Sequence, residues 1–175
     1  MSAPVVASPL SDLQVRHYEP ADLDQVHALY AEAEAFGSTL QLPYQPASHW
    51  QRKLACSQDG QFCLVALRGD EVVGQLGLKV CRSPRRRHVA TLGMGVKASA
   101  RRLGVGSVLL QAAIVLCERW MQVQRIEIEV YTDNAAAIAL YQRHGFVLEG
   151  TCTRYAFRDG VYVDAHRMAR LTGAG

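Results

Sequence analysis

The sequence predicts an α/β protein: one mixed sheet flanked by helices, in the order β-α-α-β-β-β-α-β-α-β-β. Three stretches carry that prediction. Residues 88–97 alternate as a strand and lead through a glycine-containing turn into a segment apolar at Val105, Val108, Leu109, Ala112 and Leu116, the rhythm of a helix packed on a core. Arg125 to Tyr131 also alternates, placing Glu127 and Glu129 on one face and Ile126, Ile128 and Val130 on the other. Phe146–Phe157 and Val161–Arg170 read as a hairpin, because Asp159-Gly160 suits a two-residue turn.

The other elements follow in chain order. Residues 1–12 read as a flexible tail before a single domain spanning 13–170. Leu13 to Tyr18 alternates like a strand, and Pro20 opens a helix with Leu23, Val26, Leu29 and Tyr30 at helical spacing, ending near Phe36-Gly37-Ser38. Ser38 to Pro46 is irregular, after which Ser48 is placed to cap a second helix reaching Leu54. Phe62–Leu67 and Val72–Val80 form a hairpin around Arg68-Gly69-Asp70-Glu71, and Ser83 to Arg87 is a basic loop. Near the C-terminal end, Thr132-Asp133-Asn134 caps a short helix, Ala135 to His144, closed by Gly145 as a left-handed cap.

Composition narrows the function. A length of 175 residues fits one domain with a real core. The net charge of +3 is too modest for a dedicated nucleic-acid binder, although Arg85-Arg86-Arg87 is a local exception. Five cysteines, odd in number and without Cys-x-x-Cys spacing, fit reduced thiols better than a disulfide frame or a metal site. With no signal peptide and no membrane-length apolar run, the expectation is a cytoplasmic protein without a membrane partner.

The turn at Arg101-Arg102-Leu103-Gly104-Val105-Gly106-Ser107 is the first chemical signal. Glycines permit positive φ and close backbone approach, and the first N–H groups of a helix have no partner inside it. Strand, Arg-x-x-Gly-x-Gly and buried helix thus make a plausible pyrophosphate cradle. A tight turn with solvated arginines is the plainer alternative. No Gly-x-x-x-x-Gly-Lys-Ser/Thr occurs, and Leu109 stands where a dinucleotide fingerprint needs glycine.

Together with the acidic strand and Asn134-Ala135-Ala136-Ala137-Ile138-Ala139-Leu140-Tyr141-Gln142-Arg143-His144-Gly145-Phe146, this turn resembles the GCN5-related N-acetyltransferase (GNAT) superfamily over roughly residues 13–170. Ser38–Pro43, Pro84–Ala90 and Arg158–Ala165 further resemble a bacterial L-amino-acid N-acetyltransferase branch. The resemblance implies an acetyl-CoA-binding sheet splayed between its fourth and fifth strands, here 88–97 and 125–131. It implies acetyl-CoA along Met94, Gly95 and Val96, its pyrophosphate on Arg101 to Ser107 (Arg101, Arg102, Leu103, Gly104, Val105, Gly106, Ser107), and its pantetheine arm at Asn134.

In many relatives a tyrosine at the position of Tyr141 protonates the departing thiolate; packing beside Ile138 and Phe146 is the alternative role. Glu127, Glu129 or His88 would take the amine's proton, or the two glutamates merely face solvent. An amino-acid acceptor needs a cation for its carboxylate, and Arg86 is the choice among Arg85–Arg87. Thr39, Gln41, Tyr44, Tyr155 and Tyr162 would line the acceptor pocket. The resulting expectation is an N-acetyltransferase acting by direct attack of a small primary amine, an L-amino acid, as a homodimer. Two alternatives stand beside it: another amine (a protein N-terminus, polyamine or antibiotic), or a noncatalytic acyl-CoA-binding subunit.

Overall fold

The computed structural model describes residues 12–55 and 60–172, so the tail expected at residues 1–12 falls almost wholly outside the described residues. The strands are β1 (Leu13–His17), β2 (Gln61–Arg68), β3 (Glu71–Val80), β4 (Val89–Val96), β5 (Arg125–Tyr131), β6 (Val147–Arg158) and β7 (Val161–Leu171). The helices are α1 (Leu23–Ala31), α2 (Ala33–Gly37), α3 (Ala47–Leu54), α4 (Val105–Trp120) and α5 (Ala135–Arg143). One seven-stranded sheet runs β1-β2-β3-β4-β5-β7-β6. Its neighbours are antiparallel except β4 and β5, which are parallel.

Alternation along the strands gives each sheet face its own core. On one side α4 buries Val105, Leu109, Leu110, Ala113 and Ile114 against Leu64, Leu76, Leu78, Ile126 and Ile128. On the other, Val26, Leu29 and Tyr30 of α1 and Trp50 and Leu54 of α3 cover Val65, Leu67 and Val72. The glutamate face of β5 is the face that α4 does not cover, as its alternation requires.

Two local expectations are corrected. The first helix is broken, not continuous: Glu32 is extended (ψ 132°), separating α1 from α2 and adding a helix to the predicted order. The Glu32 carboxylate accepts from the Ala98 backbone N–H at 2.9 Å, a tertiary contact invisible to helical periodicity. Ser48 does not cap α3. Pro46 holds the cap position with φ −73°, which leaves Ser48 inside the first turn.

The end of β1 is fastened by a nearly buried carboxylate. Asp22 receives two hydrogen bonds from Arg16 (2.7 and 2.8 Å) and one from the Glu19 N–H (2.8 Å). The Arg16 bonds hold the Asp22 pKa below the ordinary carboxylate value despite the opposing effect of burial. The unfolded chain therefore takes up the proton first as acid is added, so this stabilisation is whole above the unfolded pKa and is lost as pH falls through the lowered one. Asp22→Asn should cost about 1.5–3 kcal/mol. In urea unfolding the gap to the native chain should stay constant above about pH 5 and close in stronger acid.

Candidate active site

The sheet parts at its one parallel junction. β4 and β5 pair through Val89–Thr91 and Arg125–Glu127, and beyond that β4 keeps its partner β3 to Val96 while β5 keeps β7 to Tyr131. The gap opens into a continuous cleft of about 2630 Å³. The turn before α4 and the face of α5 line one part of it; residues 39–43, β5 and β6 line another.

On the α4 side, the geometry suits an anion. Gly104 is the residue before the helix, at φ 84°, and no side chain caps the first turn. Arg102 also has positive φ (61°), so the chain turns sharply just before the first N–H groups of α4. Arg101, Arg102, Gly104, Val105, Gly106 and Ser107 all line the cleft; Leu103 does not. Arg101 also pairs with Glu34 at 2.7 Å. Ser107 Oγ lies 2.7 Å from His144 Nε2, joining the first turn of α4 to the end of α5. Burial, with Arg143 and Arg170 nearby, lowers the His144 pKa.

Met94, Gly95 and Val96 line the cleft along the β4 edge from which β5 has departed. Gly95 is there for space: a Cβ would stand 2.8 Å from the Tyr30 ring. Tyr30 in turn stacks on Trp50 at 4.3 Å, donates to Gln75 Oε1 at 2.6 Å, and through Gln75 connects to Cys63 Sγ at 3.0 Å. Tyr141 is buried on α5, edge-on to Phe146 at 5.5 Å, and burial pushes its phenol up to about 12. Asn134 caps α5, accepting from the Ala137 N–H at 3.2 Å, while also lining the cleft.

The two strand glutamates have different surroundings. Glu127 sits at the vertex of the split and does not line the cleft. Arg125 Nε (2.7 Å) and Arg86 (2.8 Å) bond its carboxylate, and their bonds outweigh burial to hold its pKa low, which makes it a poor proton acceptor. Glu129, two residues on, lines the cleft. It accepts from the Tyr155 hydroxyl and lies 3.4 Å from Arg167 Nε. Burial and Glu129 together raise the Tyr155 pKa, so that phenol stays a donor.

Among the expected acceptor residues, Thr39, Gln41 and Tyr155 line the cleft. Tyr44, Arg86, His88 and Tyr162 do not. Tyr44 is almost fully exposed, Arg86 is committed to Glu127, His88 points to solvent at the start of β4, and Tyr162 packs on Phe157 at 5.1 Å. The cleft also contains Tyr30, Gln75, Tyr131 and Arg158, to which the sequence reading gave no role in the site. Gln75 carried a signal, a polar residue inside an apolar strand. Tyr30 and Tyr131 read simply as core or strand residues.

The comparisons agree with this architecture. The sequence profile of the Acetyltransferase (GNAT) family matches residues 23–146. The L-amino acid N-acetyltransferase AaaT of Escherichia coli (strain K12) is 41% identical over 162 residues, covering 93% of this chain and 99% of that protein. A GNAT-family acetyltransferase from Streptococcus pneumoniae superposes with a TM-score of 0.80 at 28% identity, covering 92% and 99% of the two chains. A ribosomal-protein-alanine N-acetyltransferase from Brucella melitensis gives 0.81 at 28% identity, covering 91% and 99%. With its parted parallel strands, uncapped helix mouth and sequence match over most of its length, this chain belongs to the GNAT family of N-acetyltransferases.

Proposed function

We propose that the protein transfers the acetyl group of acetyl-CoA to the primary amine of an L-amino acid by direct attack. One observation carries the reading: a single cleft joins an anion-ready helix mouth to a carboxylate, Glu129, across a strand edge that has lost its partner. The 41% identity to an L-amino acid N-acetyltransferase over nearly the whole chain supports the choice of acceptor.

The first-turn N–H groups of α4 and the curled Arg101–Gly104 turn would hold the pyrophosphate, and the open edge at Met94–Val96 the pantetheine arm. When bound, acetyl-CoA supplies an activated acyl carbon. Glu129 receives a proton from the ammonium of the acceptor, and the Tyr155 hydroxyl orients its carboxylate. Tyr141 holds its proton at neutral pH and delivers it to the departing sulfur. Glu127 positions the basic loop by binding Arg86 and takes no proton. A homodimer through the β6–β7 hairpin belongs to this reading, supported by exposed Val147, Leu148, Phe157 and Tyr162.

The test is a panel of the L-amino acids, a peptide N-terminus and a polyamine, scored by CoA release. The expected outcome is turnover with one or more free L-amino acids at a kcat/KM at least tenfold above the other amines. Turnover restricted to peptide or polyamine replaces the acceptor; CoA binding without turnover replaces the enzyme by a binding subunit.

A further inference from the structure

An amino acid whose amine lies at Glu129 needs a cation for its carboxylate within one amino-acid span, and Arg86 is held outside the cleft. The cations that line the cleft are mostly engaged or distant. Arg16 is paired with Asp22, Arg101 with Glu34, and Lys53 lies over the Trp50 ring at 4.9 Å, while Lys79 belongs to β3 and Arg102 and Arg143 to the turn before α4 and to α5. Arg158, at the end of β6, is also paired, with Asp133, but its Nε edge is left open and it stands beside the strand of Glu129. Its guanidinium lies over the Tyr131 ring at 5.0 Å, and Tyr131 is two residues beyond Glu129 on the same face of β5.

We propose that Arg158 binds the α-carboxylate of the acceptor amino acid while Glu129 receives its amine. Residues i and i+2 of a strand are about 6.6 Å apart. An amino acid held at both ends spans about 8.6 Å, roughly 3 Å between amine and carboxylate plus a hydrogen bond of about 2.8 Å at each end, and the Arg158 side chain lying over the Tyr131 ring extends the strand interval toward that span.

The donor inventory of Arg158 fits this use. One edge of its fork, Nη1 and Nη2, faces the Asp133 carboxylate, and Nη1 also donates to the Gly37 carbonyl at 3.3 Å. No described residue accepts from Nε, so the Nε edge remains for a second, bidentate carboxylate without displacing Asp133. Asp133 keeps the guanidinium charged and fixed, and Tyr131 presents its face beneath it. The Gly37 contact, with the Tyr131 hydroxyl donating to Thr39 O at 3.0 Å, ties the loop that lines the acceptor end to the same cation.

The assignment rests on the amino-acid reading above, and its test separates the two. The best L-amino acid from the panel is compared with its own amide, which keeps the amine and side chain and removes the negative charge. The native protein should prefer the acid, and Arg158→Met should raise KM for the acid about 10- to 100-fold, as expected for losing a charge-assisted bond. KM for acetyl-CoA and kcat/KM for the amide should change by less than about threefold, the scale of minor context effects. Arg158→Lys, which keeps the charge and loses the fork, should fall between the two and guards against a misfolded methionine variant. An Arg158 that merely latches the loop would lower acid and amide alike. An unchanged acid-to-amide ratio in both variants overturns the assignment alone; no turnover of any L-amino acid by the native protein overturns the amino-acid reading with it.

Discussion

Tyr141→Phe should lower kcat by about 10²- to 10⁴-fold, the range for removing a positioned acid, while leaving KM for acetyl-CoA within a few-fold. The substitution deletes one oxygen from a buried ring that packs edge-on to Phe146, and no described side chain bonds that oxygen. Folding should therefore change little, and thermal unfolding would check that. With the phenol raised to about 12, the native rate should show no loss of acid between neutral pH and about pH 10. A phenylalanine variant as active as the native chain would remove Tyr141 from the chemistry and favour the binding-subunit alternative.

Gly95→Ala should be the most damaging single methyl in the cleft. The added carbon would meet Tyr30 Cε1 and Cζ at 2.8 Å and its hydroxyl at 2.9 Å. Tyr30 cannot swing away cheaply, because it is stacked on Trp50 and bonded to buried Gln75. Either the ring or β4 must yield, and overpacking of this kind costs about 1–3 kcal/mol. If β4 yields, the open edge at Met94–Val96 moves and kcat/KM for acetyl-CoA falls with stability. Gly93→Ala is the internal control, since a Cβ there meets nothing within 4 Å. Urea unfolding of both variants should show the first clearly destabilised and the second close to native.

Much of this was legible in the residues. Period-two alternation placed Ile126, Ile128 and Val130 in the core and the glutamates opposite, and the Asp159-Gly160 turn formed with both φ angles positive (47° and 81°). The cap at Asn134 and the bare helix start at Gly104 were local patterns, so sequence could reach them. What it missed was set by distant neighbours. The break at Glu32 goes with a bond to Ala98, 66 residues on. Alternation also gave Glu127 and Glu129 equal standing, because a face is all that alternation specifies. Their difference comes from where β4 leaves β5, and from Arg86 and Arg125 reaching the one at the vertex. Arg158 stood in a recognised segment, yet nothing local announced that it would lie over Tyr131.

That vertex has the geometry of a fulcrum. Three paired residues, Val89–Thr91 against Arg125–Glu127, set the angle at which two long arms diverge, and Glu149 and Arg86 brace the pivot from either flank through Arg125 and Glu127. Gly95 stands four residues along its arm, about 13 Å out at strand rise, so a few degrees of rotation at the pivot would become most of an ångström at the proposed acetyl-CoA edge. On the proposed reading, side chains that touch neither reactant would set how far apart the two are held.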